Sequence, residues 1–107
     1  MSALHLKPNP TLKDYQEYID LMVKERGFDK ETISQIFMML TEECGELAKA
    51  ARKAADIHTD ENSQKFALED EAADVFIYLL DICNYFKIDL ETAFRQKEEK
   101  NSKRTWK

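Results

Sequence analysis

Apolar and polar residues follow the period of an amphipathic α-helix along most of the chain. Apolar side chains recur every three or four positions, which places them on one face of a helix. This pattern predicts four helices, at about residues 12–26, 30–56, 63–86 and 90–101. The apolar positions expected to be buried are Leu12, Tyr15, Ile19, Met22, Val23, Ile33, Ile36, Phe37, Leu40, Leu47, Ala51, Phe66, Ala72, Ala73, Phe76, Leu79, Leu80, Cys83, Phe86, Leu90, Ala93 and Phe94. Four helices with short connections predict an all-α fold, a four-helix bundle that is expected to be oligomeric.

Capping and turn residues mark the ends of these helices. Thr11 is a capping start for the first helix, and Gly27 fits the left-handed position that closes it. Asp29 is expected to cap the second helix and Asp89 the fourth. Residues 56–64 are polar and rich in turn formers, so they predict a loop.

The chain has 107 residues, which predicts one domain at 11–107 after a flexible lead-in at 1–10, where both prolines lie. A short helical chain buries little surface alone, so pairing with a second copy of the chain is expected. The two cysteines form no CxxC pair, and neither a signal peptide nor a long apolar run is evident. These features predict a reduced, cytoplasmic protein with no membrane partner. The net charge of −5 makes binding to a nucleic acid polymer unfavourable.

Two groups of carboxylates interrupt the apolar pattern. Glu42, Glu43 and Glu46 lie within about 100° of one another on the second helix, and Glu71 and Asp74 share a face of the third. Like charges this close repel, so a cation is expected to offset them. Oxygen ligands favour Mg²⁺, with Mn²⁺ as a possible substitute. The Glu-x-x-His pairs of di-iron bundles do not occur in this chain.

The last thirteen residues are basic, in contrast to the acidic middle of the chain. Six lysines and arginines stand against two acids between residues 95 and 107. An acidic region and a basic tail can face the metal side and the phosphate side of one ligand. A solvated helix end is the alternative, because cations are also favoured near a helix C-terminus.

These residues together resemble the MazG-like family of all-α nucleotide pyrophosphohydrolases. The family pattern is ExxE followed by ExxD, here at residues 43–46 and 71–74 with 24 residues between them. The flanking sequences at 40–47 and 74–80 are also similar to the family, as is the K…KN..R.W ending at 97–106. The resemblance covers about two thirds of the chain.

The resemblance implies hydrolysis of a nucleoside triphosphate between its α and β phosphates, giving the monophosphate and pyrophosphate, as in nucleotide-pool house-cleaning. It also implies a homodimer or homotetramer whose sites use residues from neighbouring subunits. Carried over by residue, it implies metal ligands at Glu43, Glu46, Glu71 and Asp74. Glu42, Glu43 and Glu46 would be the catalytic carboxylates, with Glu42 as an accessory ligand or the base that orients water. The implied substrate-binding residues are Lys97, Asn101, Arg104 and Trp106.

Three alternatives stay open at this point. A phosphoribosyl-ATP pyrophosphohydrolase has the same bundle and chemistry. A non-catalytic helical oligomerisation module would place the acids on a solvated face. Phe37 and Met38 lie just before the acids and could line a pocket for the nucleobase, but Phe37 fits the apolar core equally well.

Overall fold

The computed structural model describes residues 4–55 and 61–104 and, for residues 61–66, the backbone alone. Within these ranges the chain is helical and contains no β-strand, which confirms the predicted all-α fold. A short 3₁₀ turn at Phe28–Lys30 separates the first two helices. The four helices are α1 (Leu12–Glu25), α2 (Ile33–Ala54), α3 (Glu61–Tyr85) and α4 (Leu90–Ser102).

The helix α1 begins and ends as its sequence predicts. Thr11 and Asp14 form a reciprocal capping box, in which the Asp14 N–H donates to Thr11 Oγ1 (3.2 Å) and the Thr11 N–H donates to Asp14 Oδ2 (2.8 Å). Gly27 follows the helix with a φ of 78°. This left-handed conformation is inexpensive for glycine, and it turns the chain toward α2.

The predicted start of α2 near residue 30, with Asp29 as its cap, is wrong. Asp29 lies in the 3₁₀ turn, and α2 begins at Ile33 after the N-cap Thr32. The Thr32 and Gln35 side chains form a second capping box, with bonds of 3.2 and 2.8 Å. This box satisfies two of the N–H groups that a helix start leaves unpaired, and a lone Asp29 would satisfy fewer.

The helix α3 begins at Glu61, slightly earlier than predicted, so the end of the predicted loop is helical. The rest of that loop, residues 56–60, lies outside the described part of the chain. Asp89 occupies the predicted N-cap position of α4, but its side chain makes no capping bond to the backbone. The N–H of Leu90 donates instead to Oε1 of Gln16 on α1 (2.9 Å).

Gln16 joins α1 to the turn between α3 and α4. Its Nε2 donates to Asn84 Oδ1 (3.0 Å) and to the Ile88 carbonyl (2.8 Å), and Asn84 Nδ2 donates back to the Gln16 carbonyl (2.8 Å). Gln16 is the buried polar residue of this region. Both ends of its amide are bonded, which offsets the cost of burying it.

The same turn contains a residue with unfavourable backbone geometry. Lys87 has a φ of 57°, the left-handed conformation that glycine adopts more readily. The Ile88 N–H donates to the Cys83 carbonyl (2.8 Å) and the Lys87 N–H donates to the Asn84 carbonyl (3.1 Å). These two bonds form a Schellman motif, which ends α3 and leads into α4.

Helices α2 and α3 pack extensively along their length and run in opposite directions. Ile36 and Asp81 line one small cavity, and Ala50 and Ala67 line another farther along the pair. Each step forward along α2 therefore corresponds to a step backward along α3. The helix α1 packs on α3, where Ile19, Met22, Val23 and Leu80 form the central apolar cluster.

Several predicted core positions are exposed in the single chain. Phe94 is 65% exposed, and Phe37 and Phe86 are about half exposed. In α2 the buried alanine is Ala50 rather than the predicted Ala51, because the face toward α3 passes through Ile36 and Ala50. The apolar stripes are thus wider than the neighbouring helices can cover. None of the helices in the described ranges is both long and apolar enough to cross a membrane.

Candidate metal centre

Glu43 occupies a position on α2 that would otherwise hold a core residue. It lies midway between Ile36 and Ala50, seven residues from each, and these two are only 3% and 6% exposed. Residues seven apart on a helix point in nearly the same direction. The Glu43 side chain is therefore directed at α3, and it is half-buried there.

Three carboxylates from the two helices converge at this point. Glu43, Glu71 and Asp74 each offer one oxygen, and these oxygens lie within 4.8 Å of one another. Glu71 and Asp74 are three residues apart on α3, so both reach the same side of that helix. Oε2 of Glu71 is buried and has no hydrogen-bond partner among the described residues. A buried carboxylate oxygen without a donor is costly, and a bound cation would remove that cost.

The neighbouring carboxylates make Glu43 harder to ionise. Its pKa is raised to about 7, first by a hydrogen bond shared with the Glu71 carboxyl and then by burial. The charges of Asp74, Glu71 and Glu42 raise it further. With both glutamates ionised, neither carboxylate has a donor to offer the other. Below about pH 7 the metal-free cluster therefore retains a proton on Glu43, which the Glu71 carboxyl accepts in a hydrogen bond.

The donor set suits a hard divalent cation. The cluster offers carboxylate oxygens and, among the described residues, includes neither histidine nor cysteine. Mg²⁺ and Mn²⁺ prefer such ligands, whereas softer transition metals favour imidazole or thiolate. A bound cation would displace the proton shared by Glu43 and Glu71, and it would give the buried Oε2 of Glu71 a partner. The residues present thus fit the metal that the sequence implies.

The other two predicted carboxylates lie beside this cluster. Glu42 is exposed and borders an open cavity of about 440 Å³ with Phe37, Met38 and Thr41. Glu46 is exposed one turn farther along α2, where it lines a separate cavity of about 120 Å³ that Glu71 also lines. The structure therefore brings together three of the four predicted metal ligands and places Glu46 at their margin.

Tyr78 lies near the cluster, although no motif of the sequence predicts a role for it. Burial raises the pKa of its hydroxyl, and the charges of Glu31, Glu43, Asp74 and Asp81 raise it further. Tyr78 follows Asp74 by four residues, one turn along α3. That spacing was a usable signal, because residues four apart share a helix face.

Three of the four predicted substrate-binding residues lie on α4 or directly after it. Lys97 and Asn101 lie on α4, and Arg104 follows it. Their spacing of four and then three residues places them on one side of the helix. Among the described residues, α4 packs chiefly against α1, whereas the carboxylate cluster lies between α2 and α3. Trp106 lies outside the described residues.

Comparison with known protein families decides what kind of domain this is. Residues 31–107 match the MazG nucleotide pyrophosphohydrolase domain. The chain belongs to the MazG family. The match begins just before α2 and includes α3 and α4, so all three carboxylates of the cluster lie within the MazG domain. The family resemblance drawn from the sequence is confirmed. A comparison with curated proteins gives no significant match.

Proposed function

We propose that this MazG protein is a Mg²⁺-dependent nucleoside triphosphate pyrophosphohydrolase. It would cleave a ribo- or deoxyribonucleoside triphosphate between the α and β phosphates and release the monophosphate and pyrophosphate. The observation that carries the proposal is the convergence of Glu43, Glu71 and Asp74 on one point within a MazG domain. Conversion of triphosphates to monophosphates suits nucleotide-pool house-cleaning.

In this proposal Glu43, Glu71 and Asp74 hold the ion, and Glu46 completes the ligand set from the margin of the cluster. Mg²⁺ would neutralise phosphate charge and polarise the phosphoryl oxygens, and Mn²⁺ could take its place. By holding the ion, the three carboxylates would fix the place of the substrate's phosphates between α2 and α3. The rigid helix pair supports such positioning, because both helices carry the site on regular backbone.

Glu42 is the proposed general base. Its exposed carboxylate stands beside the cluster and can accept a proton from an attacking water. The water oxygen bonds to the α phosphorus while the bond from that phosphorus to the bridging oxygen breaks. The electron pair of the broken bond stays on pyrophosphate. The proton lost by water rests on the Glu42 carboxylate until solvent removes it.

The surface next to Glu42 offers a place for the nucleobase. Phe37 and Met38 are 46% and 70% exposed, and they form the apolar wall of the open cavity that Glu42 borders. An aromatic ring accepts the flat face of any base. We place the base on this wall, with the phosphates directed at the carboxylates.

A second copy of the chain is proposed to complete the molecule. The accessible surface is 8479 Å², whereas a compact monomer of this mass exposes about 6,200 Å². The radius of gyration is 16.6 Å, against about 13 Å for a compact domain of this length. Both differences favour a homodimer, or a homotetramer, that covers apolar side chains such as Phe86 and Phe94.

The tail residues Lys97, Asn101 and Arg104 would then act across the subunit boundary. In a single chain α4 packs on α1 rather than beside the cluster. A neighbouring copy can bring its own α4 to the open side of α2 and α3. Its cations and amide would hold phosphate or sugar, and Trp106 could stack on the base.

The test is to incubate the protein with Mg²⁺ and a panel of NTPs, dNTPs and phosphoribosyl-ATP, and to identify the products. The expected products are a monophosphate and pyrophosphate, and phosphoribosyl-ATP as the sole substrate would narrow the activity to that compound. Glu71→Gln should abolish turnover. Glu69→Gln removes an exposed charge on the same helix and should leave turnover intact. Release of orthophosphate alone contradicts the proposal. An absence of any turnover leaves the non-catalytic oligomerisation module in its place.

A further inference from the structure

Two lysines lie on α2 just past the candidate metal centre. Lys49 and Lys53 are one turn apart, and together with Glu46 and Glu71 they line the cavity of about 120 Å³. Glu71 also belongs to the carboxylate cluster, and its buried Oε2 has no partner among the described residues. A pair of cations therefore borders the metal centre within the same chain.

The direction of the side chains favours contact with a ligand at that centre. Lys49 and Lys53 follow Glu43 by six and ten residues, or about 9 and 15 Å along the helix axis. Side chains on an α-helix lean toward its N-terminus, which is the direction of Glu43. Both lysines are exposed, so a ligand can reach them from solvent.

The site needs cations on this side. Carboxylates surround the cluster, and a triphosphate adds further negative charge that a single divalent ion does not balance. The tail cations of the same chain sit on α4, which packs against α1. Lys49 and Lys53, by contrast, share a cavity with Glu71, a carboxylate of the cluster.

We propose that Lys49 and Lys53 bind the two terminal phosphates of the substrate, which leave as pyrophosphate. This assignment rests on the pyrophosphohydrolase function proposed above. It sets the direction of the substrate along α2, with the base near Phe37 and Met38 and the leaving group toward the C-terminal end of the helix. When the bond between the α phosphorus and the bridging oxygen breaks, its electron pair stays on pyrophosphate, and the two ammonium groups stabilise that charge.

A simpler role for these lysines is favourable interaction with the C-terminal end of α2. Arg52 and Lys53 both lie in the last turn of α2, where cations are stabilising. Arg52 provides the matched control, because it is exposed and does not line the cavity. A lysine that acts only through the helix end should therefore behave as Arg52 does.

The experiment compares Lys49→Gln, Lys53→Gln and Arg52→Gln with the wild type in steady-state hydrolysis with Mg²⁺. Inhibition by pyrophosphate and inhibition by the monophosphate product are measured separately. Loss of one charge-assisted contact should raise the inhibition constant for pyrophosphate about tenfold in each lysine variant. The constant for the monophosphate should stay unchanged, and Arg52→Gln should match the wild type. Lysine-to-arginine variants should recover most of the pyrophosphate affinity.

Two results overturn the assignment. In the first, the lysine variants and Arg52→Gln have the same inhibition constant for pyrophosphate. In the second, the lysine variants raise the inhibition constants for pyrophosphate and for the monophosphate equally, as expected for a long-range charge effect. Thermal melts of each variant exclude unfolding as the cause. An active wild type with unaffected lysine variants refutes only the lysine assignment. A wild type that hydrolyses no nucleotide refutes the proposed function and this inference with it.

Discussion

Replacement of Glu43 by glutamine tests the carboxylate cluster through stability alone. Without metal, ionised Glu43 faces Glu71 and Asp74 across the helix pair and has no donor there. Its pKa of about 7, against an ordinary value of 4.5, corresponds to about 3 kcal/mol of unfavourable interaction at full strength. Solvent around this half-buried carboxyl screens the effect to about 1 kcal/mol. The variant should therefore be more stable than the wild type in EDTA at pH 8, by about 5 °C in melting temperature.

The dependence on pH has a definite sign. Because the pKa of Glu43 is higher in the folded protein than in the unfolded chain, the folded state binds more protons between pH 4.5 and 7. Wild-type stability should fall as the pH rises through that interval, and the advantage of Glu43→Gln should vanish by about pH 5. Glu69→Gln removes an exposed charge outside the cluster and should show no such profile.

Addition of Mg²⁺ should reverse the order. At a hundredfold excess over its dissociation constant, a bound ion would stabilise the wild type by about 2.7 kcal/mol. The variant lacks one of the three converging ligands and should gain little, so the wild type becomes the more stable protein. Differential scanning calorimetry in EDTA and in Mg²⁺ measures both effects. The reasoning is refuted when Glu43→Gln is the less stable protein in EDTA at pH 8, or when it keeps the full Mg²⁺ shift.

Three further substitutions test the fold. Gln16→Ala should destabilise the protein by about 2–4 kcal/mol in urea unfolding, because it leaves the Leu90 N–H and the other partners of Gln16 unpaired. An unchanged urea midpoint would contradict the capping role of Gln16. Lys87→Gly should raise the urea midpoint by up to about 1 kcal/mol, since glycine adopts the positive φ without strain, whereas Lys87→Ala should not. Asp81→Asn should stabilise the protein near neutral pH and not in acid, because burial and the charges of Glu31 and Asp20 raise the pKa of Asp81. Thermal melts at both pH values measure this difference, and an equal gain in stability at the two would refute it.

The sequence predicts the helices and much of the site because both follow from helix periodicity. The spacing of Glu71 and Asp74 by three residues is enough to place both on one side of α3. The position of Glu46 depends on more than spacing. The face of α2 toward α3 repeats every seven residues through Ile36, Glu43 and Ala50, so a residue three after Glu43 lies to the side of it. Only the packed helix pair shows which acid faces inward.

Long-range contacts account for the other differences. Gln16 makes its bonds to residues 68–74 positions away in the chain, and no local pattern predicts such partners. From sequence alone, a polar residue such as Gln16 only interrupts the apolar stripe of its helix, and its hydrogen-bond partners cannot be named. Periodicity predicts that the aromatic stripes of α3 and α4 are buried, but it does not say what buries them. Phe86 and Phe94 are the clearest cases, since each lies on an apolar face and remains exposed.

The position of Glu43 between Ile36 and Ala50 also has a consequence for engineering. At positions 43 and 74 the residues that would hold a metal are not those that would best stabilise the fold. Apolar side chains there would pack α2 against α3 without needing a cation. A laboratory selection for thermal resistance alone would drift toward leucine or isoleucine at both places. The selected protein would be more stable and would have lost the candidate metal centre.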